Sequence, residues 1–230
     1  MANIQKIENK VEIAPRNYKL NFSDFVGIGK NGNLWVEDCD VEELVKKYGS
    51  PLLIISESQF RQSFRQFKKA FTDNYKGEVE ILYANKSNNS LALRHIMNQE
   101  GGGGDCFGVN EMYISLLAGT NPKMLVLNGS NKQDEELEMA IANGLCINID
   151  SMDELGRISE ISKKFNKSVD IGIRLALDLD PLAEKTGVSM HGPGTLKEQS
   201  DSTKWGMTRE QTVEIVNNAQ KLKNIHLKET

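Results

Sequence analysis

The sequence predicts an α/β protein with a parallel sheet, closed as a (β/α)8 barrel in preference to an open doubly wound sheet. Three observations carry that prediction. From about residue 50 onward, apolar runs of strand length alternate with helical periodicity in units of roughly 20 to 30 residues, the pattern that calls for a parallel sheet. No Gly-x-Gly-x-x-Gly follows the first strand, and the Gly101–Gly104 run lacks the Gly-Lys-Ser/Thr ending of a phosphate loop. The stretch Ile81-Leu82-Tyr83-Ala84-Asn85-Lys86-Ser87-Asn88 delivers a lysine directly after an apolar run. The carboxyl ends of the strands are where barrels and doubly wound sheets place their chemistry.

Taken in order, residues 1 to about 22 form a polar leader. Gly29-Lys30-Asn31-Gly32 reads as a turn before a short strand over Asn33–Glu37, and Asp40 caps a helix whose Val41, Leu44 and Val45 share a face, ending at Tyr48-Gly49. Leu52–Ile55 reads as a buried strand. Ser56 or Ser58 starts a helix in which Phe60, Phe64, Phe67 and Phe71 make an apolar stripe read as core packing. Strands follow at Val79–Tyr83, near Asp105-Cys106, and at Met124–Leu127, Cys146–Ile149, Val169–Leu175 and Ile225–Leu227. Between them the spacing predicts helices over Leu91–Met97, Glu111–Ala118, Asp134–Asn143 (stopped by Gly144), Asp153–Phe165 (capped by Ser151) and Thr208–Leu222. A polar excursion, Asp178–Lys204, interrupts the alternation.

Composition excludes several classes. With 230 residues, 39% hydrophobic, 26% charged and a net charge of −4, the chain is an ordinary globular one with ample core. No basic cluster interleaved with aromatics points to nucleic acid. The apolar runs are too short to span a membrane and the N-terminus has no signal-peptide core, so a cytoplasmic protein is expected. Three widely spaced cysteines, Cys39, Cys106 and Cys146, read as reduced thiols, and no metal-ligand spacing is present.

Several segments, in order, resemble one family. Tyr83-Ala84-Asn85-Lys86-Ser87-Asn88 resembles its Tyr-Ala-x-Lys-Ala-Asn motif. Gly104-Asp105-Cys106-Phe107-Gly108-Val109-Asn110-Glu111 is similar to its Gly-x-Asp-x-x-Ser-x-x-Glu. Asn128-Gly129-Ser130-Asn131-Lys132 followed by Glu135-Glu136-Leu137 resembles a third block. Ile149-Asp150-Ser151 with Glu154-Leu155, Ile173-Arg174, and Thr203-Lys204-Trp205-Gly206-Met207 complete the series. The family is the fold-type III pyridoxal-phosphate decarboxylases, acting on diaminopimelate, ornithine, arginine or carboxynorspermidine, with alanine racemase a more distant relative. The resemblance covers roughly residues 25 to 228.

That resemblance implies an alanine-racemase-like barrel binding pyridoxal 5'-phosphate, apparently truncated here. Residues 1–48 would join a C-terminal β-domain, and 49–230 would be the N-terminal part of the barrel. It also implies a homodimer acting on a small amino acid, with no nucleic-acid or membrane partner. Lys86 would carry the cofactor as a Schiff base. Asp105 and Glu111 match positions near the lysine and cofactor, and the matching Arg174 reaches the cofactor region. From chemistry alone, Arg174 at the end of an apolar strand needs an acid or an anionic ligand. Glu111 is equally a helix N-terminal carboxylate favoured by the dipole, and Asp150-Ser151 reads as a helix cap. Lys132 and Asn128 sit at a strand end, while His95 and His191 read as solvated or structural, and His226 takes no role.

Departures from the pattern are Gly108 for serine, Ser87 for alanine and Trp205 for phenylalanine, which mark a divergent branch. The implied activity is decarboxylation of a basic or dicarboxylic amino acid. Two alternatives stay open: a racemase of the same fold, told apart by chirality change without carbon dioxide, and a cofactor-free homologue acting as a binding subunit.

Overall fold

The computed structural model describes residues 11–13, 18–20, 25–176 and 206–228. The excursion Asp178–Lys204, with His191, and Trp205 lie outside them. The chain forms two compact units, residues 1–79 and 80–230.

In the first unit, β1 (Val11–Ile13) and β2 (Tyr18–Leu20) pair antiparallel, and β3 (Val26–Ile28), β4 (Leu34–Val36) and β5 (Cys39–Asp40) form an antiparallel meander. The predicted Asp40 cap forms: its Oδ1 accepts the Glu42 amide at 2.8 Å and starts α1 (Val41–Tyr48), which ends at Gly49 with φ +86°. Ser56 caps α2 (Glu57–Thr72) by accepting the Gln59 amide at 3.0 Å. Two expectations fail here. Leu52–Ile55 is not a strand, and Leu53 is 97% exposed. An extended apolar run becomes a strand only where a neighbour takes its N–H and C=O groups, and no described strand pairs with it. The aromatic stripe of α2 is not core throughout: Phe64 is buried, whereas Phe67 and Phe71 are exposed, their rings tilted against each other at 5.0 Å.

The second unit holds a wholly parallel sheet of six strands: β6 (Leu82–Ala84), β7 (Gly103–Cys106), β8 (Leu125–Leu127), β9 (Cys146–Ile149), β10 (Val169–Ile173) and β11 (Ile225–Leu227). Their spatial order is their chain order, with no reversal. Right-handed crossovers repeated in one direction put every helix on the same side, which is the wall of a barrel; a doubly wound sheet reverses at a switch point. The connecting helices are α3 (Leu91–Gln99), α4 (Val109–Leu117), α5 (Asp134–Asn143), α6 (Glu154–Phe165) and α7 (Arg209–Ala219). The wall curves strongly. Five strand spacings would separate the edges of a flat sheet by about 24 Å, yet Lys228, just after β11, pairs with Glu80, just before β6, at 3.3 Å.

The core lies between sheet and helices. Leu125, Leu127, Ile147, Ile149 and Ile171 face Leu137, Ile141, Ile158 and Ile215, all at most 1% exposed. Alternate residues of the same strands therefore face the barrel interior. The predicted stop of α5 at Gly144 forms, with φ +77°. The predicted Ser151 cap does not: α6 begins at Glu154 with Asp153 in the cap position, and the Ser151 hydroxyl is spent donating to Asp153 Oδ1 at 2.7 Å.

Candidate active site

The carboxyl ends of the strands collect the polar residues. Strand β6 runs into a 3-10 turn, Asn85–Ser87. Asn85 is fully buried, and its Nδ2 donates to Ser115 Oγ at 2.8 Å and Cys106 Sγ at 3.2 Å, which ties the turn to α4 and β7. With Asn85 pulled inward, Lys86 projects outward and is exposed. Its Nζ lies 4.8 Å from the centre of the Phe107 ring, within range of a cation–π contact. Lys86 forms no ion pair among the described residues.

The register Ala84↔Asp105 places Asp105 beside the end of β6. Cys106, next in the strand, turns the opposite way and is buried against Ser115, where burial pushes its thiol up to about 11. Asp105 accepts a hydrogen bond from Asn128 Nδ2, and Asn128 Oδ1 accepts from Asn148 Nδ2 at 2.8 Å. A chain of amides thus crosses three strands and ends on a carboxylate. Burial raises the Asp105 carboxyl above its ordinary value, against the opposing pull of the Asn128 donor and the Lys86 and Arg174 charges. Gly172 stands opposite Asn148 in the ladder; a Cβ there would come within 2.1 Å of Asn148 Oδ1. The absence of a side chain at Gly172 is what leaves the amide its place.

Arg174 follows β10, and its Nη1 lies 3.2 Å from Asp150 Oδ1, which also accepts the Gly206 amide at 3.1 Å. The acid expected for Arg174 is therefore Asp150, which the sequence reading had assigned to a helix cap. Glu111, in the first turn of α4, accepts the Phe107 amide on Oε2 at 2.8 Å. Glu111 thus holds the backbone of the residue whose ring Lys86 faces. Gly108 begins α4 with no side-chain cap, and its missing hydroxyl is the departure noted from the motif.

Lys132, expected at a strand end, and Glu154, expected in the helix Asp153–Phe165, form a fully buried ion pair at 2.9 Å. Sequence reasoning missed this pair, together with Asn85, Asn148 and Phe107. Asn148 had one signal, a lone amide inside the apolar strand Cys146–Ile149; Lys132 had its place at a strand end in the third block, but nothing that named Glu154 as its partner. His95 lies on α3 with its Nε2 3.0 Å from Gln99, away from this cluster. Two clefts of about 420 Å³ open on the same rim, one beside Phe107, Gly108 and Glu111, the other beside Asp150, Glu154, Arg157 and Gly206. Neither is lined by Lys86.

These features fit an aldehyde-bearing, anionic cofactor. The amine is held by no acid among the described residues, the nearby carboxylate is oriented by amides, a guanidinium stands three strands along the sheet from it, and Gly172 leaves room for the Asn148 amide. Residues 57–228 match the family model described as pyridoxal-dependent decarboxylase, pyridoxal binding domain. The chain belongs to the pyridoxal-dependent decarboxylase family. Its cofactor is pyridoxal phosphate, and the parallel sheet is its pyridoxal-binding barrel. Among relatives, the diaminopimelate decarboxylase of Archaeoglobus fulgidus is 38% identical over 151 residues, 66% of this chain and 35% of that protein. That of Methanothermobacter thermautotrophicus is 34% identical over 157 residues, 68% of this chain and 35% of that one. The crystal structure of the M. jannaschii diaminopimelate decarboxylase in complex with L-lysine superposes with a TM-score of 0.78 at 26% identity, covering 89% of this chain and 46% of that one. A lysine/ornithine decarboxylase from Vibrio vulnificus with putrescine, at 22% identity and a TM-score of 0.62, shares the fold. The chain spans about a third of the length of the curated relatives it matches. No described helix is long and apolar enough to cross a membrane.

Proposed function

We propose that the protein decarboxylates an amino acid with pyridoxal 5'-phosphate, its substrate being diaminopimelate or a related basic or dicarboxylic amino acid. The observation that carries this reading is Lys86 at the end of β6, beside an amide-oriented Asp105 and above Phe107, inside a segment matched by the family's pyridoxal-binding domain. The substrate class rests on the relatives, which are diaminopimelate decarboxylases at 38% and 34% identity.

Lys86 would hold the cofactor covalently through its aldehyde, and Arg174 and Asp105 would flank it. When bound, the cofactor supplies an electron sink for the pair left at Cα as carbon dioxide departs. The chain's own contribution is placement. Asn85 fixes the turn that presents the amine, and Asn128 and Asn148 fix the Asp105 oxygen. Asp150 helps hold the long Arg174 side chain. Burial raises the Asp105 carboxyl above its ordinary value, so its proton is easier to keep than a surface aspartate's. Glu111 orients the Phe107 backbone. In this reading residues 1–48 join a β-domain, residues 49–230 belong to the barrel, and the working protein is a cytoplasmic homodimer.

The test uses the full-length protein. After incubation with pyridoxal phosphate and borohydride, mass mapping should find a reduced pyridoxyl group on Lys86. Carbon dioxide release should appear with diaminopimelate, lysine, ornithine or arginine and disappear in Lys86→Ala. Absence of release from every basic and dicarboxylic amino acid by cofactor-loaded protein would overturn the reading.

A further inference from the structure

The Lys86 ammonium is the cation of the rim that rests on an aromatic face. Phe107 is 38% exposed, so its ring is a surface of the site and not a core filler. Two neighbours hold it in place. Its backbone amide is fixed by Glu111 Oε2 at 2.8 Å. Its ring lies against Gly129, where φ is +104° and a Cβ would come within 3.2 Å of Phe107 Cδ1. A side chain at Gly129 would have to displace the ring. The ring in turn sits 4.8 Å from Lys86 Nζ. Leucine at position 107 would fill similar space with no π face.

We propose that Phe107 is a docking platform for Lys86 in its unlinked, ammonium form, and that it favours release of the lysine from the cofactor to an incoming amine. The inference rests on the proposed role of Lys86 as the cofactor lysine. In the exchange, a C–N bond forms between the incoming amino acid's nitrogen and the cofactor's aldehyde carbon, and the C–N bond to Lys86 breaks. Starting from the protonated linkage, in which Nζ already carries one proton, Nζ leaves having gained a second from the incoming amine, whose other proton stays on the new linkage, and a third from solvent. The product is a full cation on a long, flexible side chain. A ring face lowers the free energy of that cation and confines the side chain beside the site. Because the platform stabilises the unlinked state, it opposes cofactor linkage in the resting protein.

That sign separates the proposal from a packing role. A cation–π contact at an exposed site corresponds to roughly a two- to fivefold change in an equilibrium constant. Phe107→Leu should therefore hold pyridoxal phosphate roughly two- to fivefold more tightly than the parent. Phe107→Tyr, which keeps the ring face, should match the parent. The measurement is equilibrium dialysis of pyridoxal phosphate against full-length, cofactor-stripped protein, with borohydride trapping to confirm that the label sits on Lys86. Tighter retention in Phe107→Leu with parental retention in Phe107→Tyr is the expected result. Weaker or unchanged retention in Phe107→Leu, with Lys86 still labelled in the parent, overturns the platform and leaves the cofactor assignment intact. No label on Lys86 in the parent overturns both.

Discussion

Lys132 Nζ and Glu154 Oε2 lie 2.9 Å apart with both side chains 1% exposed, and the pair joins three loops of the rim. Lys132 also donates to the Gly129 carbonyl at 2.7 Å, and Glu154 Oε2 accepts the Asp150 amide at 3.1 Å. Asp150 in turn holds Arg174 and the Gly206 amide. The loops after β8, β9 and β10 are thereby set relative to one another by one buried pair.

Breaking that pair on one side should be costly. Lys132→Met leaves a carboxylate buried without its cation, and its Oε1 already has no hydrogen-bond partner. The expected loss is about 3–5 kcal/mol. The double variant Lys132→Met/Glu154→Leu removes both charges and should recover most of it, remaining within about 1–3 kcal/mol of the parent because the Asp150 amide loses its acceptor. Urea denaturation of the parent, both singles and the double measures the cycle; additive losses would show that the two charges do not act as a pair.

Much of the wall was legible in the sequence, because short apolar runs alternate there with helical periodicity. Cys146–Ile149, Ile225–Leu227 and the helix Asp134–Asn143 form where periodicity places them. Leu52–Ile55 misled because apolarity marks a segment that can be a strand, while pairing depends on a neighbour that the segment itself does not encode. Lys86, Asp105, Glu111 and Arg174 do come to one rim. What pattern could not supply was their partners. The amide chain from Asn148 to Asp105 joins residues 20 and 23 apart along the chain, and Lys132 meets Glu154 22 residues away. Such contacts follow from barrel register, which period and composition do not carry.

Two glycines of the sheet should respond differently to alanine. At Gly103 a Cβ would come within 2.2 Å of the Met124 carbonyl oxygen, which is backbone beside β8 and cannot swing away. Gly103→Ala should cost about 1–3 kcal/mol through overpacking. At Gly172 the clash is with the tip of the Asn148 side chain, which can rotate. Gly172→Ala should change stability little but break the Asn148–Asn128 bond and loosen Asp105, weakening cofactor retention. Thermal unfolding and pyridoxal-phosphate dialysis on both variants separate the two effects. Equal destabilisation of both would contradict the rigid-versus-flexible distinction.

The cysteines should divide sharply by reactivity. Cys39 is exposed, whereas Cys106 and Cys146 are buried with thiols raised by burial, Cys106 to about 11. The thiolate is the reacting species, so at pH 8 iodoacetamide should label Cys39 in the native protein and leave Cys106 untouched until urea is added. Peptide mapping by mass spectrometry reads this directly. Native labelling of Cys106 would mean that the Asn85–Cys106–Ser115 contact opens readily, and the turn carrying Lys86 with it.

Asp105 gives a pH dependence with a definite sign. Burial raises its folded carboxyl above the ordinary value of 3.8. An acid raised on folding favours the protonated folded state, so its contribution to stability is full below 3.8 and is lost as pH rises through the folded value. Asp105→Asn keeps an acceptor for Asn128 and carries no charge. In cofactor-free protein the variant should therefore gain stability relative to the parent as pH is raised from 3.8 toward neutrality, and the gain should level off once the parent carboxyl is fully ionised. Urea midpoints for both proteins across that range make the comparison. If the variant instead loses ground as pH rises, the carboxylate is stabilised by Lys86 and Arg174 more than burial penalises it. Asp105 would then be a fixed anion of the rim.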